Sequence, residues 1–270
     1  MYKPGENDLI VKSNSLMEAS YRLNLTEQQL VLFAIVQARE EGLGLIPGTF
    51  ISISARQFAE QFGLNHETVY LQIKNSATSL WNRYIVVEDV HPESGKKRVI
   101  KSRWISKVAY VEGAGIVQFA FSEEVIPFIT RLERKFTSYE IAEVSKMTST
   151  HAIRVYELLV QYLGLGERRF ELLELKKVLG VENEYDSITD FKKRVLDKSV
   201  SEINKHSNLE ISYSQKKNGR VVTEIIFSIR RKSAEKSEPK KPVQLALTGV
   251  DVVSVTSRKP KIPDANDDGF

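Results

Sequence analysis

One pattern occurs twice along this 270-residue chain, and that repetition limits the fold more than any other feature. The first copy opens with TEQQLVLFAIVQAREE, Thr26 to Glu41, where Leu30, Phe33, Ala34 and Gln37 recur at helical spacing. Thr26 and Gln29 stand in the positions of a capping box, and Gly42 and Gly44 end the run. The alternating FISIS, Phe50 to Ser54, predicts a short strand. ARQFAEQFGLNHETVYLQIKNSATSLWNRY then reads as a helix, a tight turn at Gly63 to Asn65 and a longer helix, with Val69, Ile73, Leu80 and Tyr84 as core. YIVVEDV and RVIKSRWISKVAYV alternate as strands around the turn HPESGKK, and IVQFAF follows as a third strand.

The second copy repeats the order. Ser149 to Leu163 is an amphipathic helix, and ELKKVLGV matches QFAEQFGL, with Leu175 and Gly180 spaced as Phe58 and Gly63 are. A long helix starts near Ser187, followed by LEISYS, the turn QKKNGR and VVTEIIFSIR. These elements predict an α+β chain of two tandem winged helix-turn-helix domains related by a pseudo-repeat. The expected domains are 1–136 and 137–232, joined near Thr137 to Ser149. From Ser233 onward Pro, Ser, Lys and Asp dominate, so 233–270 reads as a disordered tail.

Charge distribution says more than the net +4. Six basic residues and no acidic one lie between Ser94 and Lys107, and eleven Lys or Arg face five Asp or Glu from Ser187 to Lys232. A membrane span needs about 20 consecutive apolar residues; the sequence has none, and its charged start does not suit a signal peptide, so a cytoplasmic location is expected. Without cysteine there are no disulfides, thiolate ligands or thiol nucleophiles.

Catalysis finds little support in the residues. His66, His91, His151 and His206 are scattered without metal-ligand spacing, which argues against a metal-dependent nicking enzyme. ESGKK lacks the earlier glycine and the hydroxyl residue of a phosphate-binding loop. The chain is therefore read as a non-enzyme without metal or cofactor.

Three separated segments resemble the iteron-binding plasmid replication initiators, the Rep proteins. They are NDLIVKSNSLMEASYRLNLTEQQL at Asn7 to Leu30, FTSYEIAEVSKMTSTHAIRVYELLVQY at Phe136 to Tyr162, and FKKRVLDKSVSEIN at Phe191 to Asn204. The resemblance implies monomers that bind direct repeats in double-stranded origin DNA. It also implies a homodimer in equilibrium with the monomer that represses its own gene, and contacts with the host initiator ATPase and replicative helicase. A winged-helix transcription regulator without a replication role is the alternative that the fold alone leaves open.

On the helix from Ser187 to Ser207, capped by Ser187 and Asp190, residues Ile188, Phe191, Val195, Leu196, Val200 and Ile203 form the apolar stripe. Arg194 and Ser201 lie opposite, with Lys192, Lys193, Lys198 and Lys205 beside them, and Asp190 and Asp197 interrupt the positive face. A solvated charged face is the bland alternative; two helix-turn-helix units with basic wings favour DNA contact. In the wings, Lys216, Lys217, Arg220 and Lys96, Lys97, Arg98 are candidates for phosphate contacts. In the first domain Thr68, Gln72, Asn75 and Ser79 project outward as polar groups suited to base edges or phosphates. The stretch Arg98 to Val111 offers an edge for self-association. In the tail, QLALT, Gln244 to Thr248, faintly resembles the peptide that docks bacterial proteins on the sliding clamp.

Overall fold

The computed structural model describes residues 8–40, 46–111, 113–130 and 136–232. The tail with QLALT, and the glycines at 42 and 44, lie outside them. Chain order begins with β1 (Leu9–Ser13), α1 (Asn14–Glu18) and β2 (Ser20–Tyr21), elements too short to show a period in the sequence. Next come α2 (Leu25–Glu40), β3 (Ile51–Ser54), α3 (Ala55–Phe62) and α4 (His66–Leu80). They are followed by β4 (Tyr84–Val90), β5 (Lys97–Arg103), β6 (Ile105–Val111) and β7 (Ile116–Phe121). Short α5 (Ile126–Ile129), β8 (Phe136–Glu140) and α6 (Ala142–Ser145) lead to α7 (Thr150–Val160). The second copy consists of β9 (Glu167–Glu171), α8 (Leu172–Val178), α9 (Ile188–Phe191), a π-helical turn at Lys192–Leu196 and α10 (Asp197–His206). It closes with the hairpin β10 (Leu209–Asn218) and β11 (Val221–Arg231).

The helix expected at Thr26 starts earlier, because Asn24 is the better cap. Its Oδ1 accepts from the Glu27 N–H at 2.8 Å while Glu27 Oε2 accepts from the Asn24 N–H at 2.7 Å, a reciprocal box two residues before the predicted one. Every residue of α2 from Glu27 to Ala38 is buried, so the predicted stripe is one side of a helix enclosed on all sides. Phe33 meets Phe58 and Phe62 of α3 edge-on, with ring centroids 5.6 and 6.3 Å away.

The pseudo-repeat holds at atomic level. Phe58 and Leu175 are fully buried, and Gly63 and Gly180 both take positive φ, 63° and 69°. A left-handed residue ends each helix so that the next can turn away. The two sites differ in their surroundings: a Cβ at Gly63 would meet nothing within 4 Å, whereas one at Gly180 would lie 2.9 Å from the carbonyl oxygen of Tyr21.

Arg98 to Val111 is not one strand. Trp104, fully buried and 4.9 Å from the Tyr21 ring, takes the chain from the sheet β2-β4-β5 to the sheet β3-β7-β6. Both β5 and β6 are edge strands. Tyr84, expected in the core, is 44% exposed, since its place at the mouth of β4 lies beyond the last turn that α4 buries.

The border drawn at 136/137 runs along the start of β8, which pairs antiparallel with β1 from Leu9↔Glu140 to Ser13↔Phe136. Beyond it, α7 is buried from Ala152 to Leu159 and packs against both α1 and α10. A shared helix rather than a loose linker therefore joins the two copies. Its charged residues are buried too. Lys12 Nζ lies 2.6 Å from Glu157 Oε1, Arg154 Nη1 is 2.8 Å from Glu157 Oε2, and the Tyr139 hydroxyl donates to the same carboxylate at 2.6 Å. Arg154 Nη2 donates to the carbonyls of Met17 and Ala19, and its guanidinium stacks 4.0 Å from the Tyr21 ring. Burial alone would raise the Glu157 carboxyl, but Lys12, Arg154 and Tyr139 hold it at about 2. Burial pulls the Lys12 ammonium below its ordinary value, and Glu157 offsets only part of that.

Candidate nucleic-acid interface

The second long helix starts as its sequence predicts, with Ser187 as N-cap accepting from the Thr189 N–H at 3.2 Å. Its middle departs from the expected α-helix. The Asp197 N–H bonds back to the carbonyl of Lys192, five residues earlier, and this widened turn lets adjacent Val195 and Leu196 both reach the core. Phe191 and Ile203 complete the buried stripe, while Ile188 and Val200 are half-buried. Ser199 is also fully buried, its hydroxyl donating to the Val195 carbonyl at 2.6 Å.

Lys193, Arg194, Lys198, Ser201 and Lys205 are all exposed on the other side. Among the described residues, Lys193, Arg194 and Lys205 carry no ion pair or side-chain hydrogen bond, so their donors face solvent. Lys192 differs. It is half-buried, and its Nζ donates to Gln215 Oε1 of β10 at 3.3 Å. Asp197, an awkward charge on this face in the sequence, accepts from the Tyr213 hydroxyl of β10 at 2.6 Å. Burial and that hydrogen bond raise the Tyr213 phenol above its ordinary value, so it stays a donor. These contacts, with the Asn204 amide bonded to both the N–H and the carbonyl of Ile211, brace the helix against its wing. Lys198 sits 3.9 Å from Glu202, whose carboxylate mainly accepts from the N–H groups of Thr148 and Ser149 before α7.

The wing is longer than the sequence indicates. QKKNGR is not the turn: the strands run on to Asn218 and Val221, leaving Gly219 and Arg220 as a two-residue loop. Gly219 at φ 61° supplies the backbone that such a tight hairpin requires. The register shifts between Lys216 and Lys217, where Thr223 of β11 is the extra residue; Lys216 pairs with Glu224 at 2.6 Å, whereas Lys217 and Arg220 are exposed and unpaired among the described residues.

In the first copy, Asn65 caps α4 by accepting from the Glu67 N–H at 2.9 Å. Thr68, Gln72 and Asn75 are exposed, and Gln72 Nε2 donates to Thr68 Oγ1 at 3.1 Å, a pairing that DNA contact by either would replace. Ser79 does not project outward. Its hydroxyl donates to buried Glu27, which also takes Arg83 at 3.0 Å, because α2 lies directly against this side of α4. Lys96 is exposed in the turn, while Lys97 opens β5 and pairs with Glu88 at 2.6 Å. Glu88 takes Lys177 as well, at 3.0 Å, and these two lysines lower its carboxyl. Arg98 is half-buried within β5.

A cationic-aromatic cluster beside α4 escaped the sequence reading. Lys101 Nζ lies 4.6 Å from the Tyr84 ring, and the Arg103 guanidinium lies 5.3 Å from Tyr84 and 5.8 Å from Trp81. Trp81 and Tyr84 are 37% and 44% exposed, leaving aromatic surface beside positive charge. The period-2 spacing of Lys101 and Arg103 is a usable signal in the sequence, although helical spacing alone places Tyr84 in the core.

The four histidines lie on separate elements, at the start of α4, in the β4–β5 turn, in α7 and at the end of α10. Among the described residues no group of three His, Cys, Asp or Glu is placed to hold a metal. No helix among them is long and apolar enough to cross a membrane.

Comparison with known proteins accounts for this architecture. Residues 9–160 match the model of the first winged-helix domain of initiator replication proteins, WH1, and 171–229 match the second, WH2. A replication initiation protein of Escherichia coli is 22% identical over 232 residues, covering 82% of this chain and 69% of that protein. An uncharacterized 27.6 kDa protein of Escherichia coli is 20% identical over 227 residues, covering 80% of this chain and 93% of that protein. The crystal structure of the Pi initiator protein in complex with iteron DNA superposes with a TM-score of 0.65 at 19% identity, covering 85% of this chain and all of that one. With both winged-helix models matched in order along one chain, this protein belongs to the initiator Rep protein family.

Proposed function

We propose that this protein initiates plasmid replication by binding directly repeated sites in origin DNA. The observation that carries this reading is the braced helix of the second domain, which presents Lys193, Arg194 and Lys205, unpaired among the described residues, beside a wing tipped by Lys217 and Arg220. Arginine can donate to both acceptors of a guanine, and wing cations suit phosphates. Thr68, Gln72 and Asn75, together with Lys96, Lys97 and Arg98, form the contacts of the first domain. The domains divide the work: 1–136 dimerises and binds DNA, and 137–232 supplies most of the sequence discrimination. DNA is bound without metal or nucleotide, and no reaction is catalysed.

Monomers bind the direct repeats, open the origin and recruit the host initiator ATPase and replicative helicase. Dimers repress the protein's own gene in the cytoplasm. Among the described residues β5 and β6 lie at the edges of their sheets, which supports self-association through the first domain by strand pairing. The decisive experiment places the gene with its flanking DNA on a replicon lacking an origin. Autonomous replication that requires the flanking repeats is the expected result. Specific binding without replication would make the protein a transcription regulator instead, and sedimentation showing only monomers would remove the dimer.

A further inference from the structure

Where the two domains join, a cavity of about 260 Å³ opens between the β2–α2 connection, the residue stretch after α4, the first turn of α7 and the end of α8. Arg22, Arg83, Arg154, Gln28, Thr150 and His151 line it, and no carboxylate does. The three guanidiniums are held from behind by acids that lie off the cavity wall: Glu184 for Arg22, Glu27 for Arg83 and Glu157 for Arg154. Such anchoring orients the cations without using all their donors.

Several donors beside the cavity are left unused among the described residues. Arg83 binds Glu27 only through Nε, leaving both Nη groups without a partner among the described residues. Arg154 Nε and Gln28 Nε2 are buried with no partner, on side chains only 4% and 2% exposed. An occupant that accepts hydrogen bonds would use the Arg83 Nη groups and the remaining Arg22 donors at this wall. Thr150 and His151 open α7; Glu202 already holds the Thr148 and Ser149 N–H groups and Ser149 Oγ caps that of Ala152, which leaves the Thr150 and His151 N–H groups without an intrahelical acceptor. The volume falls below the ~300 Å³ at which pockets begin to hold drug-sized ligands, which selects a small ion.

We propose that this cavity is a binding site for a small oxyanion of the phosphate class. With walls drawn from 22–28, 83, 150–154 and Leu179, the bound anion would bridge segments of both domains and stiffen their junction. The proposal stands apart from the assigned DNA-reading helix, none of whose residues lines the cavity.

Isothermal titration of the full chain with inorganic phosphate, in chloride buffer at fixed ionic strength, tests it. One saturable site per chain is expected. Gln28→Met should weaken it by about tenfold, the loss of one hydrogen bond to a charged acceptor. Exposed Arg22→Gln is a second variant that leaves the core untouched and should also weaken binding. Circular dichroism checks that both variants fold. Repeating the titration with origin duplex already bound separates the sources of phosphate. Unchanged affinity assigns the site to a free ion, and expulsion of phosphate by the duplex assigns it to a phosphate of the DNA backbone. No saturable binding, or equal affinity in the wild type and both variants, overturns the proposal and leaves the cavity to water.

Discussion

Glu157→Gln removes the one negative charge from a buried cluster that holds Lys12 and Arg154. Lys12 is 1% exposed, Arg154 4% and Glu157 fully buried, so none of the three charges is rescued by solvent. Breaking a buried pair by deleting one partner destabilises by about 3–5 kcal/mol, because the remaining charge is left uncompensated. For a chain with this many ordered residues, that corresponds to a fall in Tm of roughly 6–20 °C. Arg154 keeps the carbonyls of Met17 and Ala19 as acceptors, so most of the loss should fall on Lys12. The double variant Lys12→Met, Glu157→Gln should then recover about half or more of the stability, since an apolar side chain of similar length needs no counter-charge. Urea unfolding of the wild type, both single variants and the double variant closes the cycle. A Glu157→Gln cost below about 1 kcal/mol, or a double variant whose loss is the sum of the singles, would refute the claim that this carboxylate is the counter-charge of Lys12.

The same carboxylate sets an acid limit: its folded pKa of about 2 lies below the ordinary 4.5, so its stabilisation is complete above 4.5 and is lost as pH falls toward 2. Up to about 3 kcal/mol should disappear across that window, measured as the urea midpoint against pH, and Glu157→Gln should flatten the curve. At the proposed interface, Arg194→Ala should lower affinity for a specific duplex by about 1–3 kcal/mol and relax preference at one base pair, whereas Lys217→Ala or Arg220→Ala should weaken specific and random DNA alike and reduce the salt slope by about one unit. Titrations on specific and scrambled duplexes at several salt concentrations decide, and equal loss on both from Arg194→Ala would move base reading to the first domain. Gly180→Ala should destabilise more than Gly63→Ala, since both strain a positive φ but only the former drives a Cβ to 2.9 Å from a carbonyl oxygen. Left-handed strain alone amounts to about 1 kcal/mol, so equal unfolding midpoints for the two variants would contradict the close approach.

Whatever depends on local periodicity is legible in the chain alone. Phe58 and Gly63 repeat as Leu175 and Gly180, and this alone placed both helix-turn-helix units, with matching burial and left-handed turns. The stripe Phe191, Val195, Leu196 and Ile203 was legible for the same reason, and with it the outward side that carries Arg194. Charge pairing was not legible, because partners far apart in sequence leave no local trace. Folding is what pairs Lys97 and Lys216 with Glu88 and Glu224, ties the helix to its wing through Lys192 and Asp197, and gives Ser79 to Glu27. Trp104 breaks a strand that alternates without interruption, since a change of sheet depends on what the residue packs against rather than on its neighbours in the chain. The junction of the domains follows the same logic. Lys12 and Glu157 stand 145 residues apart, and what made their burial tolerable was a partner that only the folded chain could bring within 2.6 Å.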